Sequence, residues 1–112
     1  MPHYLHQWLY KDREVRAMAT KPQDREEVVR VAVEAFDGKL HGLYFCFGEY
    51  DGLCVTEFPD NETALACLMS IVGHGALVTL KTTPLMTPEE GRGAMERARE
   101  VVTHYERPSR SG

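Results

Sequence analysis

The chain lacks several features that mark common classes of protein. No apolar run approaches the roughly 20 residues that span a bilayer, so we expect no membrane segment. The first residues, up to His6, lack the basic region and apolar core of a signal peptide. The formal net charge is -4, and the arginines from Arg92 onward alternate with glutamates. A nucleic-acid partner is therefore not expected, because such partners require a basic stripe.

Cysteine is also scarce. The chain has three cysteines, Cys46, Cys54 and Cys67, and no CxxC pair. A small secreted protein more often carries an even set for disulfides, so reduced thiols in the cytoplasm are the simpler interpretation. The 112 residues suffice for one domain, which we expect over 1–106, with a flexible C-terminal tail over 107–112.

Hydrophobic periodicity predicts alternating strands and helices. The first predicted elements are a strand at 3–10, a linker at 11–21 and a helix that starts with a capping box at Thr20–Gln23 and ends at Asp37–Gly38. Strands at 40–48 and 53–58 follow. The remaining elements are a helix from Pro59 to Val72, a strand at 76–83 and a helix after Thr87. This βαββαβ order with a C-terminal helix favours a ferredoxin-like α+β fold. Its four-stranded antiparallel sheet would carry both core helices on one face.

Both faces of the predicted sheet are bulky and largely uncharged. Alternation along the first strand places Tyr4, His6 and Trp8 on one face, and along the second strand it places Tyr44 on the same side as Leu40. The helices cover only one face. We therefore expect the other to meet a second copy, in a sheet-to-sheet homodimer or a higher homo-oligomer.

The segment from Gly42 to Gly52, GLYFCFGEYDG, resembles the signature of the GYD-domain family, and the resemblance extends over residues 3–105. That family is similar to the dimeric ferredoxin-like α+β barrel proteins, which include small-molecule monooxygenases and isomerases. The resemblance implies that fold and a dimer. It implies no particular reaction, because one fold hosts many functions.

The turn with Glu49, Tyr50 and Asp51 is the first candidate site. Its two carboxylates could share a proton or bind a cation. The structural alternative is that glycine supplies a positive φ, Asp51 bonds its own backbone and Tyr50 packs down on the turn. The structural alternative explains most of the motif.

Tyr4, His6, Trp8 and Tyr44 are the second candidate. On a shared inner face they would form an aromatic pocket with an imidazole able to act as acid or base. The alternative, which we favour for these residues, is an aromatic dimer interface. We predict no metal site and no cofactor, because His3 and His6 are three apart on a strand and point to opposite faces.

Three functional hypotheses follow from these features. The leading one is a dimeric module that binds a small apolar or aromatic molecule between the sheet and the helices. The second is a cofactor-free isomerase or monooxygenase with His6 or Tyr44 as proton shuttle, which predicts a cavity and a perturbed histidine. The third is a structural subunit with a dry interface.

Overall fold

A computed structural model describes residues 1–108, and its strands and helices alternate as the periodicity predicts. The elements are β1 (His3–Tyr10), α1 (Asp12–Thr20), α2 (Arg25–Ala35), β2 (Lys39–Phe45), β3 (Gly52–Glu57), α3 (Asn61–Val72), β4 (Leu77–Leu85) and α4 (Pro88–Glu100). Residues 109–112, part of the predicted tail at 107–112, lie outside the described residues.

The four strands form one open antiparallel sheet in the order β2-β3-β1-β4. β1 is therefore an inner strand, paired with β3 on one side and with β4 on the other. The predicted α+β class with a four-stranded antiparallel sheet is confirmed. Residues 1–108 contain one helix more than predicted.

The additional helix is α1, which replaces the linker predicted after β1. Thr20, predicted to cap the next helix, is instead the last residue of α1, and its hydroxyl donates to the carbonyl of Arg16. Asp24 caps α2 by accepting a hydrogen bond from the amide of Glu27. The helix start predicted at Thr20–Gln23 is therefore wrong by a few residues.

The core lies between one face of the sheet and the helices α2 and α3. Every second residue of β1 is buried there, namely Tyr4, His6, Trp8 and Tyr10. Val33 of α2 and Cys67 of α3 pack with Tyr4 and with Phe58, which follows β3. The two core helices therefore cover the same face of the sheet.

A bulge in β2 changes the faces predicted for that strand. His41 is an extra residue between the pairs that Leu40 and Gly42 make with β3. As a result Leu43 packs on the buried side with Leu40. Tyr44 lies on the opposite face, where it is 67% exposed. The predicted grouping of Tyr44 with Leu40 is therefore wrong.

The helix α4 extends from the sheet. Thr87 and Glu90 form the capping box predicted at its start, each side chain accepting from the other residue's amide. Every residue of α4 except Gly91 is exposed. The radius of gyration is 18.7 Å, whereas a compact chain of this length has about 13 Å. Among the helices of residues 1–108, none is long and apolar enough to cross a membrane.

Candidate functional site

A cavity of about 330 Å³ lies between the sheet and the helices α2 and α3. The sheet side of its wall includes His6, Trp8, Cys54 and Leu80. The helix side is largely aliphatic and includes Ala32 of α2. This volume is at the lower end of the range for small-molecule sites, which are mainly apolar with a few polar groups.

Trp8 lines this cavity and carries an unpartnered polar atom. The residue is only 6% exposed, and its indole Nε1 has no hydrogen-bond partner among the described residues. Leaving such a donor unpaired costs about 1–3 kcal/mol. Gly52 allows the indole to lie here, because a Cβ at that position would be 2.6 Å from the ring. The Nε1–H is therefore an unused donor, buried beside Gly52 in a residue that lines the cavity.

Arg25 brings a second unpartnered donor to the same cavity. It is the first residue of α2, and its Nη1 donates to Oε1 of Gln23 at 2.7 Å. Its Nε is buried and has no partner in residues 1–108. A guanidinium with an unused N–H suits an anionic oxygen better than a neutral one. Two residues of the cavity wall, Trp8 and Arg25, therefore carry unused N–H donors.

His6 is buried between two threonine hydroxyls of the neighbouring strands. Its Nδ1 lies 2.9 Å from Oγ1 of Thr82, and its Nε2 lies 2.7 Å from Oγ1 of Thr56. A neutral imidazole has one donor and one acceptor nitrogen, so one hydroxyl accepts and the other donates. Burial lowers the pKa of His6 to about 4. The ring is therefore neutral at pH 7, with both nitrogens engaged.

Tyr4 and Cys54 are buried on the same face of the sheet. The Tyr4 hydroxyl donates to Oδ1 of Asn61, and burial, together with the charge of Asp60, raises the pKa of Tyr4. Burial and, to a lesser extent, Cys67 raise the pKa of the Cys54 thiol to about 12. Cys54 is therefore a protonated, apolar wall residue and not a nucleophile at neutral pH.

The turn between β2 and β3 is tied to the end of β1 by Asp51. Its carboxylate accepts from the amide of Tyr10 at 2.9 Å, and its own amide donates to the carbonyl of Trp8 at 2.8 Å. Glu49 is exposed and Tyr50 is half-buried. Asp51 therefore has a structural role, since it holds the backbone beside Trp8.

The model of the GYD domain matches residues 4–95, which include all four strands except His3. This chain belongs to the GYD-domain family. The resemblance carried by Gly42–Gly52 is thereby confirmed. No curated protein matches this GYD chain significantly.

The GYD domain brings together only part of the predicted aromatic site. His6 and Trp8 share the cavity wall, and Tyr4 belongs to the packed cluster beside it. Tyr44 lies on the other face of the sheet. Because α2 and α3 cover Tyr4, His6 and Trp8, these side chains cannot form a sheet-to-sheet interface, and that alternative for them is wrong.

Two features of the GYD domain were missed from the sequence. Arg25 is the first residue of α2, because the helix is capped by Asp24 and not by Thr20. The local sequence does not show which of these two residues caps the helix, so the position of Arg25 at the cavity was not predicted. On the open face of the sheet, His3 and His41 both contact Glu57. No sequence spacing indicates that cluster, because its members come from three strands whose order in the sheet the sequence does not give.

Proposed function

We propose that this GYD domain binds a small, mainly apolar molecule that carries a carboxylate or a similar acceptor, in the cavity between the sheet, α2 and α3. The observation that carries the proposal is the buried, unpartnered Nε1 of Trp8, a residue of the largely apolar wall. Arg25 supports an anionic acceptor. An apolar body that fills the cavity would gain about 25 cal/mol for each Å² of apolar surface removed from water.

Binding is favoured over the isomerase or monooxygenase alternative. The two proton shuttles considered, His6 and Tyr44, lie on opposite faces of the sheet. His6 is held by two threonine hydroxyls, and a pKa of about 4 makes it a weak base at neutral pH. The perturbed histidine that the enzyme hypothesis predicts is present, but its hydrogen bonds leave no nitrogen directed at a ligand.

The test compares 1-naphthoate with 1-methylnaphthalene, two probes of similar shape of which only the first has a carboxylate. Trp8 is the single tryptophan, so its fluorescence reports binding directly, and calorimetry gives the affinities. We expect the carboxylate to bind about tenfold or more tightly, because a hydrogen bond to a charged group contributes about 1.5–3 kcal/mol. Trp8→Phe keeps a ring but removes the N–H, and should reduce this preference.

A cavity-filling pair of variants tests the location. Ala32 lines the cavity, whereas Ala35, three residues further along α2, is exposed. Ala32→Phe should abolish 1-naphthoate binding and Ala35→Phe should leave it unchanged. Binding that is unaffected by both Ala32→Phe and Trp8→Phe would refute the proposal. Absence of any binding would favour the structural-subunit hypothesis.

A second proposal is that the domain has a ferredoxin-like fold and pairs sheet to sheet as a homodimer. The βαββαβ core supports the fold. The open face supports the dimer, since Leu5, Leu9 and Val55 are only partly covered there. The exposed helix α4 adds apolar surface, with Met95 72% exposed. A second copy would bury both surfaces, and isologous pairing is the common solution.

Light scattering of the purified protein tests the dimer. We expect twice the chain mass for the wild type, and the mass of one chain for Leu5→Lys, which places a charge in the middle of the open face. Glu26→Lys, an exposed change on α2, is the matched control and should remain dimeric. A wild-type protein with the mass of one chain at high concentration would refute the proposal.

We also propose a cytoplasmic location. It is supported by Cys46, Cys54 and Cys67, all of which are free thiols. Fractionation of the source cells tests it, and recovery of the protein outside the cytoplasm would refute it.

A further inference from the structure

Three potential metal ligands converge on the open face of the sheet, on the side away from the cavity. Nε2 of His41 lies 2.7 Å from Oε1 of Glu57, and Nε2 of His3 lies 3.1 Å from the same oxygen. The two imidazole rings are stacked, with centroids 5.3 Å apart and planes inclined by 17°. The three ligand atoms all lie within 4.8 Å of one another.

The backbone of the sheet holds these side chains in place. His3 of β1 is directly opposite Glu57 of β3. His41 comes from β2, on the other side of β3, and it is the extra residue of the bulge. His41 follows the buried Leu40 and so lies on the open face, where it contacts the same carboxylate as His3. A ligand set carried by three adjacent strands is more rigid than one carried by a loop.

We infer that His3, His41 and Glu57 form a binding site for a divalent transition-metal cation of the Zn²⁺ class. This site is independent of the proposed ligand cavity, since it uses the opposite face of the sheet. It goes beyond the sequence-based expectation of no metal site, which considered His3 together with His6 on the same strand.

The distances fit the dimensions of a zinc site after a small adjustment. A tetrahedral Zn²⁺ with bonds of about 2.0–2.2 Å keeps neighbouring donor atoms roughly 3.3–3.5 Å apart. The two nitrogens now lie 2.7 and 3.1 Å from the carboxylate oxygen, so each ring needs to retreat by less than about 1 Å. The cation would replace the protons that now lie between these nitrogens and the carboxylate.

The chemistry of the ligands selects the class of cation. Two imidazoles and one carboxylate suit Zn²⁺ and its first-row neighbours better than Ca²⁺ or Mg²⁺, which prefer oxygen ligands. The side chains of His3, His41 and Glu57 are 33%, 34% and 20% exposed, so water can complete the coordination. Three protein ligands with a fourth, open position are typical of zinc sites that activate water or bind a further ligand.

Calorimetric titration of untagged, chelator-treated protein with Zn²⁺ tests the site. We expect one Zn²⁺ per chain. His3→Gln, His41→Gln and Glu57→Gln should each weaken binding more than about tenfold, since loss of even an outer-shell partner has an effect of that size. His104→Gln is the matched control, because His104 is an exposed histidine outside the cluster, and it should bind like the wild type.

Titration with Co²⁺ gives a second readout, because its visible absorption reports the ligand set. The wild type should show the strong absorption of a four- or five-coordinate ion, and His41→Gln should lose it, while circular dichroism confirms that the variant is folded. Two results would overturn the inference. One is a wild type that binds no Zn²⁺ up to about 1 mM, which is an affinity of only about 4 kcal/mol. The other is a folded His41→Gln variant with wild-type affinity and absorption.

Discussion

Mild acid should destabilise this domain through His6. Burial lowers the folded-state pKa of His6 to about 4, whereas an unfolded histidine has a pKa of about 6.5. The unfolded chain therefore binds a proton more readily than the folded one. The stabilisation from a neutral His6 is complete above pH 6.5 and is lost as the pH falls from about 6.5 to about 4.

The expected loss follows from these two pKa values. Between pH 7 and pH 5 the free energy of unfolding should fall by about 2 kcal/mol, and by about 3 kcal/mol once the pH is below 4. Such a loss is a large part of the stability of a domain of this size. Glu57, Asp60 and Glu90 do not obscure the change between pH 7 and pH 5, because their pKa values are lowered in the folded protein and their own contribution is lost only from about pH 4 downward.

Urea unfolding at pH 7, 6 and 5, followed by circular dichroism, measures the effect. His6→Gln is the comparison, since its amide can still donate to one threonine hydroxyl and accept from the other but does not titrate. The difference in unfolding free energy between wild type and variant should shrink by about 2 kcal/mol from pH 7 to pH 5. A difference that stays constant over this range would show that His6 does not carry the acid sensitivity.

Three further substitutions test the local structure. Gly52→Ala should destabilise the fold by about 1–3 kcal/mol in urea unfolding, because the added Cβ meets the indole of Trp8; an unchanged midpoint would contradict the close approach. Asp51→Ala leaves the amide of Tyr10 without its acceptor and should cost about 1–3 kcal/mol in the same assay; a neutral result would refute the structural role of the turn. Thr87→Ala should lower the helix signal in circular dichroism, because it removes one half of the capping box at the start of α4; an unchanged signal would show that the cap does not hold this helix.

The order of the elements could be predicted because it depends on local patterns. The alternation of β1 from Tyr4 to Tyr10, the helical spacing of α3 and the capping box at Thr87 are each determined by neighbouring residues. The right-handed crossover then restricts the topology to few arrangements. The face of β1 that carries His6 and Trp8 was predictable for the same reason.

Features that depend on distant contacts could not be predicted. At the end of α2 the left-handed residue is Asp37, with φ 59°, and not the following glycine. Gly38 is needed for another reason, because a Cβ there would lie 2.6 Å from Phe58. Only the packed structure shows whether a glycine is needed for a left-handed backbone or, as here, for the absence of a Cβ. The same limit applies to Arg25, which is brought to the cavity by the tertiary position of α2.

The bulge at His41 had the largest effect on the site. Strand alternation has a period of two, so one extra residue moves every later side chain of the strand to the other face. That shift separates Tyr44 from Trp8. No local pattern in β2 indicates where an extra residue lies, so the aromatic set was predicted as one site although the structure divides it between two faces.

Deletion of His41 tests whether the bulge serves the metal ligands or the fold. In the present pairing Leu40 and Gly42 already face consecutive residues of β3, so removing the residue between them leaves both pairs and all later faces in place. We expect the variant to unfold cooperatively within about 1 kcal/mol of the wild type, as for most changes away from the core. It should lose Zn²⁺ binding and retain 1-naphthoate binding. If the deletion prevents folding, the sheet itself requires the bulge. The position of His41 beside His3 and Glu57 would then no longer support a site built for a cation.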